Sequence, residues 1–447
     1  MLKILRYTAG AFRGLIAEPK TKRAEPAAIR HCGDTQVESQ FVNRQMDGNS
    51  KPDLPLDLKA LLAPMSPEQF LASYCSKSFC HIPGSPEKFA GLLPWQDLNR
   101  VLELHTLRPN QLELIKSGAS IDPRSYTEYG TREGWVVPRV NVKEFTNQLR
   151  EGATLVLSHI HEMHPPLTML AESLERFFRA TSGINVYVAW RDVHGFNIHR
   201  DKHDVFIAQV SGKKRWRLYA PIPGKPGKPP TEHTWESIIN AGDLLYIPRG
   251  LWHAAAPLNE PSLHLSISIE NPTIADLVSW VANELRWHDV GQVNISLFAT
   301  PAERAAALEQ TKEAVLGILD AQLVDKYFES SDLRREAQPR FSLPWSATPE
   351  TLPPDGKTLL KLRSRRKLNL RLDPSNRVIE FTAQGQTWRF PVLMKVLLEA
   401  IKNGDAISFD ELIALGRTSP GEAMSRAFIA TLVKEGILGE VGVDHRS

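Results

Sequence analysis

Between residues 153 and 270 the chain breaks into short apolar runs, and this stretch restricts the fold more than any other. TLVLSHI, INVYVAW, DVFIAQV, KRWRLYA, DLLYIP and LHLSISI are each rich in β-branched and aromatic residues. Ser211-Gly212, PIPGKPGKPP and Ala241-Gly242-Asp243 separate them as turns. Strands this short, repeated with Gly/Pro punctuation, must pack into a sandwich or barrel; a double-stranded β-helix (jelly roll, cupin) belongs to that class. A helix, PPLTMLAESLERFFRATSG, is expected to interrupt them and to close at Gly183.

The flanks read differently, giving an α+β chain overall. At 447 residues, more than one domain is expected. Residues 1–55 are polar and basic without an apolar period, and are read as a disordered arm that lacks the features of a secretory signal. SPEQFLASYCSKSF and PWQDLNRVLELH read as helices that extend the β-rich region to 56–271. Residues 272–345 carry i, i+3, i+4 apolar spacing in TIADLVSWVANELRW and PAERAAALEQTKEAVLGILDAQLVDKYFES, so this part is helical. Residues 346–447 hold strand-like LNLRL and VIEFTA, then PVLMKVLLEAIKNG, SFDELIAL and PGEAMSRAFIATLVKEG as helices, and a closing ILGEVG. That order resembles a winged helix, with Ser408 and Glu411 as a capping box.

Charge gives no case for a polyanion partner, since 54 basic side chains face 51 acidic ones. Cys32, Cys75 and Cys80 are too few and too irregular for a disulfide framework, which points to a reducing, cytoplasmic setting. No apolar run is long enough to span a bilayer.

The chemistry concentrates in HGFNIHRDKHDVFIAQVSGKKRWRLYAP and AGDLLYIPRGLWHAAAP. His199 and Asp201 stand two apart, so on an extended strand both side chains leave one face. His253 follows a strand and a Pro-Arg-Gly turn. Two imidazoles and one carboxylate leave up to three positions open on a metal, which suits non-haem Fe(II) holding an oxidant and a co-substrate together. A His-x-Asp pair alone is common; its place in a longer pattern gives it weight.

That pattern is GATLVLSHI (152–160), INVYVAW (184–190), HRDKHDVFIAQVSGKKRWRLY (199–219), AGDLLYIPRGLWHAA (241–255) and SLHLSIS (262–268). Across these blocks the sequence resembles the JmjC (cupin-like) oxygenase family, in particular its ribosomal-oxygenase branch. The likeness is strong over roughly 150 to 270, weaker upstream to about 66, and the downstream domain order follows that branch. The resemblance implies that His199, Asp201 and His253 ligate Fe(II) and that 2-oxoglutarate chelates the metal. It implies that Lys214 anchors the far carboxylate, with Tyr187, Asn185, Ser266 and Ser268 lining the co-substrate pocket. It further implies an O2-dependent hydroxylation of a polypeptide side chain, a ribosomal protein among the substrates, with release of succinate and CO2. The 272–345 segment would then be a dimerisation module in a homodimer.

Two other readings stay open. N-methyl-lysine demethylation uses the same chemistry on a different C–H, although no aromatic cage speaks for it. A non-catalytic regulator sensing metal or 2-oxoglutarate would be marked by loss of Asp201 or Lys214, and both are present. A longer N-terminal arm, a Pro/Gly-rich insertion at 221–230 and Trp252 before the distal histidine depart from the branch pattern. Loops of this kind set substrate choice, so the resemblance does not extend to which polypeptide is modified.

Several features invite over-reading. HIHEMH at 159–164 reads as a solvated loop rather than a second metal site. His203 is expected at the pocket rim and His264 inside the barrel. In KKRWR, Lys213 and Arg215 should face out while Lys214 and Trp216 face in. KLRSRRKLNLR (361–371) is therefore the better candidate for RNA or ribosome contact, against a solvated linker.

Overall fold

The computed structural model describes residues 57–441, apart from 109, 133–134, 223–226, 295 and most of 333–355. The expectation for the N-terminal arm and part of the 221–230 insertion lie outside the described residues. Five strands precede the β-rich stretch: β1 (Cys80–Ile82), β2 (Leu112–Lys116), β3 (Ala119–Ser120), β4 (Thr127–Arg132) and β5 (Trp135–Val140). Then come β6 (Thr154–Leu157), β7 (Thr181–Ala189), β8 (Asp204–Ser211), β9 (Lys213–Tyr219), β10 (Trp235–Asn240), β11 (Leu244–Ile247), β12 (Trp252–Pro257) and β13 (Ser262–Glu270).

Eight strands form one sheet in the order β1-β11-β8-β13-β7-β6-β2-β3, and β10-β9-β12 form a smaller one. The two face each other as the expected jelly roll. Period-two alternation explains how β8 can be buried on both sides. Phe206 and Ala208 point to the main core with Leu170 and Leu174 of the helix Pro165–Phe178, while Val205 and Ile207 pack against Trp216, Leu218 and Ile239 of the small sheet. Tight glycine turns hold the connections. Gly212 sits at φ +64° between β8 and β9, where a Cβ would meet the Pro261 carbonyl oxygen at 2.0 Å.

The interrupting helix closes earlier than expected. Pro165–Phe178 ends at Arg179 in the left-handed region, and Gly183 belongs to β7. Gly183 is needed there as a strand residue without a side chain: its N–H donates to Ser268 Oγ at 3.1 Å, and a Cβ would stand 3.1 Å from that oxygen. Arg179 is fixed instead by Asp332, its Nε lying 3.0 Å from Oδ2.

Helices Ile274–Glu284, Pro301–Ile318 and Leu323–Asp332 follow. The first two open on capping boxes, Thr273 with Asp276 and Thr300 with Glu303. The long run expected as one pattern is thus two helices. Pro301–Ile318 buries none of its residues in this chain.

The last part of the chain has its own hydrophobic cluster, including Leu360, Phe381, Leu398, Leu412, Phe428 and Leu438. It contains helices Lys395–Ile401, Phe409–Gly416 and Glu422–Lys434, and the strand Leu438–Glu440 pairs with Leu359–Leu362. The strand Gln386–Pro391 was not anticipated; it pairs with Val378–Ala383. Most of the basic run 361–371 turns onto the jelly-roll side of the protein. Lys361 lies 3.7 Å from Glu172, Arg365 lies 3.3 Å from Glu175, and Arg371 pairs with Glu329. Arg366 donates to the carbonyls of Glu175 and Ala180 at 3.1 and 3.2 Å. The run expected to meet RNA or solvent therefore works largely as an internal clamp.

Candidate metal centre

The site forms where the two sheets meet. His253 lies on β12, and His199 makes an isolated antiparallel bridge with it. Their backbones exchange hydrogen bonds of 3.1 and 2.8 Å, which bring the imidazole centroids to 4.3 Å. The expectation of a regular strand through His199 and Asp201 does not hold, since only His199 makes strand-like pairing. The chain leaves that bridge, passes Asp201 and enters β8, so Asp201 faces both histidines. Its backbone carbonyl accepts the Gly250 N–H at 3.0 Å, tying it to the turn before β12.

Each histidine is oriented by the same local device. His199 Nδ1 lies 2.8 Å from the Asn197 carbonyl, and His253 Nδ1 lies 3.0 Å from the Leu251 carbonyl. A ring whose Nδ1–H donates to a carbonyl presents its Nε2 lone pair to the other side, the tautomer a metal needs. His253 Nε2 stands 3.6 Å from Asp201 Oδ2, and ligand atoms from the three residues all lie within 4.8 Å of one another. Burial, then the neighbouring His199, pushes the His253 imidazolium down to about 4, so this ring is neutral at ordinary pH. Two imidazole nitrogens and a half-buried carboxylate are a donor set suited to a divalent first-row metal with open positions.

Behind the triad is a narrow cavity between the sheets. Lys214 and Trp216 of β9, Tyr187 of β7, His264 and Ser266 of β13, and Thr154 of β6 contribute its polar wall. Lys214 is 3% exposed, and no acidic group of the described residues pairs with it. Burial pushes its ammonium down to about 7. Thr154 Oγ1 and Trp216 Nε1 are likewise buried without a hydrogen-bond partner among the described residues. A lysine amine with no acidic partner among the described residues, beside an O–H and an N–H without acceptors there, fits an oxygen-rich anionic ligand.

Of the residues picked from sequence, His199, Asp201, His253, Lys214, Tyr187 and Ser266 share this cavity. Asn185 and Ser268 lie one step further along the same sheet faces and are outside it. Asn185 Oδ1 accepts the His159 N–H at 2.9 Å, and Ser268 is bonded to Gly183. The register pairs Ser266 with Asn185 and Ser268 with Gly183, so the polar face continues past the end of the cavity. Sequence reading missed Thr154 and placed His264 inside the barrel, packed or hydrogen-bonded, without assigning it to the cavity wall. Lys214 and Trp216 do point inward, while Lys213 and Arg215 are more exposed.

HIHEMH is not the solvated loop expected. His161 and His164 are buried, His161 Nδ1 accepting the Ile184 N–H at 3.1 Å and His164 Nε2 lying 3.0 Å from the Leu92 carbonyl. Each ring satisfies a backbone group brought from a distant part of the chain, Ile184 of β7 and Leu92. His159, His161 and Glu162 also stand close enough to share an ion, but His161 already uses one nitrogen internally. His203 is half-buried and does not line the cavity.

Comparison with known proteins agrees with this geometry. Residues 157–277 match the model of the JmjC domain. A Dictyostelium discoideum bifunctional lysine-specific demethylase and histidyl-hydroxylase NO66 is 29% identical over 244 residues, which is 51% of this chain and 45% of that protein. Ribosomal oxygenase 1 of Gallus gallus is 29% identical over 226 residues, 46% of this chain and 35% of its own. The chain thus spans less than half the length of these curated relatives. Among solved structures, YcfD, a ribosomal oxygenase from Escherichia coli, aligns with a TM-score of 0.54 at 18% identity, over 85% of this chain and 99% of that one. The same protein solved with cobalt and 2-oxoglutarate aligns with a TM-score of 0.52. His199, His253 and Asp201 all fall within residues 157–277, the stretch of this chain that is similar to the JmjC domain.

Proposed function

We propose that this protein is an Fe(II)- and 2-oxoglutarate-dependent oxygenase that hydroxylates a side chain of a polypeptide. The observation that carries the reading is the conjunction of the two tethered histidines and Asp201 with a buried Lys214 that has no acidic partner among the described residues. His199, Asp201 and His253 would hold the metal. Lys214 would pair with the far carboxylate of 2-oxoglutarate, with Tyr187, Ser266, Thr154 and Trp216 around it. Bound iron and 2-oxoglutarate would supply the oxidising chemistry, consuming O2 and yielding succinate, CO2 and a hydroxylated C–H. The protein residues orient both groups and keep water out: Val205, Ile207, Ala255 and Phe196 give the cavity an apolar lining. No side chain has to act as nucleophile.

Relatives named ribosomal oxygenase and histidyl-hydroxylase make histidine side chains of ribosomal proteins the first substrates to screen. The name of the NO66 relatives also supports N-methyl-lysine demethylation as the second reading. A homodimer through 272–345 is supported by Trp287, Leu297 and Phe298, which are 86%, 80% and 92% exposed in the single chain. The separate C-terminal cluster with three helices and a closing strand supports a winged-helix-like unit over 346–447, beside a catalytic domain over 56–271. No described helix is long and apolar enough to cross a membrane; a cytoplasmic setting rests on the free Cys75 and Cys80.

The test is succinate formation on admitting air to anaerobic protein loaded with Fe(II) and 2-oxoglutarate, beside Asp201→Ala. Turnover lost in the variant supports the oxygenase, and +16 Da peptides against formaldehyde release separate hydroxylation from demethylation. Binding of metal and 2-oxoglutarate without succinate, even with lysate, would favour a sensing regulator. Binding of neither would refute both.

A further inference from the structure

His264 lines the polar cavity wall beside Lys214, Tyr187 and Trp216. It is 3% exposed. Its ring lies parallel to Tyr187, centroids 5.0 Å apart and planes 2° from coplanar, and edge-on to Trp216 at 5.5 Å. Its Nδ1 is 3.5 Å from Lys214 Nζ. The backbone is irregular at this point. Leu263 opposes Ser211 and His264 opposes Gln209, so β8 carries an extra residue, Val210, beside them. Bulges of this kind re-aim a side chain and cluster near functional sites.

These contacts restrict what the ring can do. Burial, with Lys214 next to it, holds the imidazolium form well below the usual histidine range. A neutral imidazole has one donor and one acceptor nitrogen, and an ammonium has only donors, so toward the protonated form of Lys214 Nδ1 is the acceptor. Lys214 reaches the cavity on a flexible four-carbon stem, and among the described residues His264 alone has a recorded polar contact with its Nζ. The flat stack on Tyr187 fixes where that acceptor stands.

We propose that His264 is a positioning and specificity-determining residue for the co-substrate: it aims Lys214 and Tyr187 so that the site selects a 2-oxo diacid by the distance between its two carboxylates. The inference rests on the oxygenase reading above. With one Lys214 hydrogen turned to Nδ1, the others are directed at one place, and the separation between that place and the metal sets the chain length accepted.

The experiment measures binding of 2-oxoglutarate, and of the one-carbon-shorter oxaloacetate and one-carbon-longer 2-oxoadipate, to full-length protein holding Mn(II) under nitrogen. Two variants divide the roles of the ring. His264→Phe keeps an aromatic stack on Tyr187 and removes the acceptor; His264→Gln keeps an acceptor and removes the stack. The expected result is that His264→Phe weakens 2-oxoglutarate by about tenfold or more, the scale of one hydrogen bond to a charged group, and flattens the preference over the longer and shorter diacids. Mn(II) affinity stays at the wild-type value, and His264→Gln recovers part of the 2-oxoglutarate affinity. Equal 2-oxoglutarate affinity and an unchanged length preference in His264→Phe would overturn the inference while leaving the oxygenase reading intact. A parallel loss of Mn(II) affinity in both variants would also overturn it, since the ring would then be supporting the fold. Wild-type protein that binds Mn(II) but none of the diacids would remove the oxygenase reading and this inference with it.

Discussion

Replacing Lys214 with methionine should make the ligand-free protein more stable while abolishing its hold on 2-oxoglutarate. Methionine keeps an unbranched stem and removes only the amine. Burial lowers the Lys214 ammonium from its ordinary 10.5 to about 7. At ~1.4 kcal/mol per pH unit, that difference corresponds to about 5 kcal/mol. The unfolded chain keeps the proton up to its own higher pKa, so the folded state is penalised by the full amount below about pH 7. The penalty shrinks as pH rises and vanishes above the unfolded value. Lys214→Met should therefore resist urea better than wild type at neutral pH, by a few kcal/mol, and the gap should close near pH 10. Tryptophan fluorescence reports the transition, since Trp216 sits beside Lys214 on β9. Adding 2-oxoglutarate to the metal-loaded proteins should raise the wild-type midpoint further and leave that of the variant where it was. Equal stability at neutral pH, or a gap that persists at high pH, would refute the claim that Lys214 is held uncompensated for an anionic ligand.

The remaining expectations concern the scaffold. Arg365→Ala leaves the buried Glu175 without its close cation and should cost roughly 3–5 kcal/mol in urea unfolding, with no change in RNA retention. Gly242→Ala, at φ +90° with the Ser85 carbonyl oxygen 1.8 Å from the new Cβ, should lower yield or the thermal midpoint by well over the ~1 kcal/mol of an ordinary substitution. On the proposed homodimer through 272–345, Phe298→Glu should shift the protein to monomer in light scattering while the succinate yield per chain expected of the proposed oxygenase changes little. Ser268→Ala should leave 2-oxoglutarate affinity near wild type, whereas Ser266→Ala should weaken it, as read by competition with a fluorescent metal chelate.

The jelly roll was readable because its strands carry their own signal: alternating β-branched residues between obligate turns. The clustering of His199, Asp201 and His253 was readable from spacing and resemblance together; Lys214 was picked out by the resemblance, and alternation turned it inward beside Trp216. Where reading stopped, tertiary geometry decided. Asn185 and Ser268 share a face with Tyr187 and Ser266, and nothing in their spacing says where along that face the cavity ends. Thr154 gave no signal, because a lone threonine opening a strand looks like any other. HIHEMH looked like a polar loop because the acceptors and donors that bury His161 and His164 come from Ile184 and Leu92, distant in sequence. The same reason hid the fate of the basic run, whose carboxylate partners lie on Pro165–Phe178 and Leu323–Asp332.

The backbone bridge between His199 and His253 has a bearing on how the protein tolerates scarcity of its metal. In many small metal-binding domains the ion assembles its own ligands, so losing it unravels the chain. Here two peptide hydrogen bonds already hold the histidines in register, and two carbonyls hold their rings. The ion then arrives at a finished seat and owes nothing to folding. Withdrawal of iron would idle such a protein without unfolding it, and returning iron would restart it with no refolding. Its output could follow iron and 2-oxoglutarate supply on the timescale of binding.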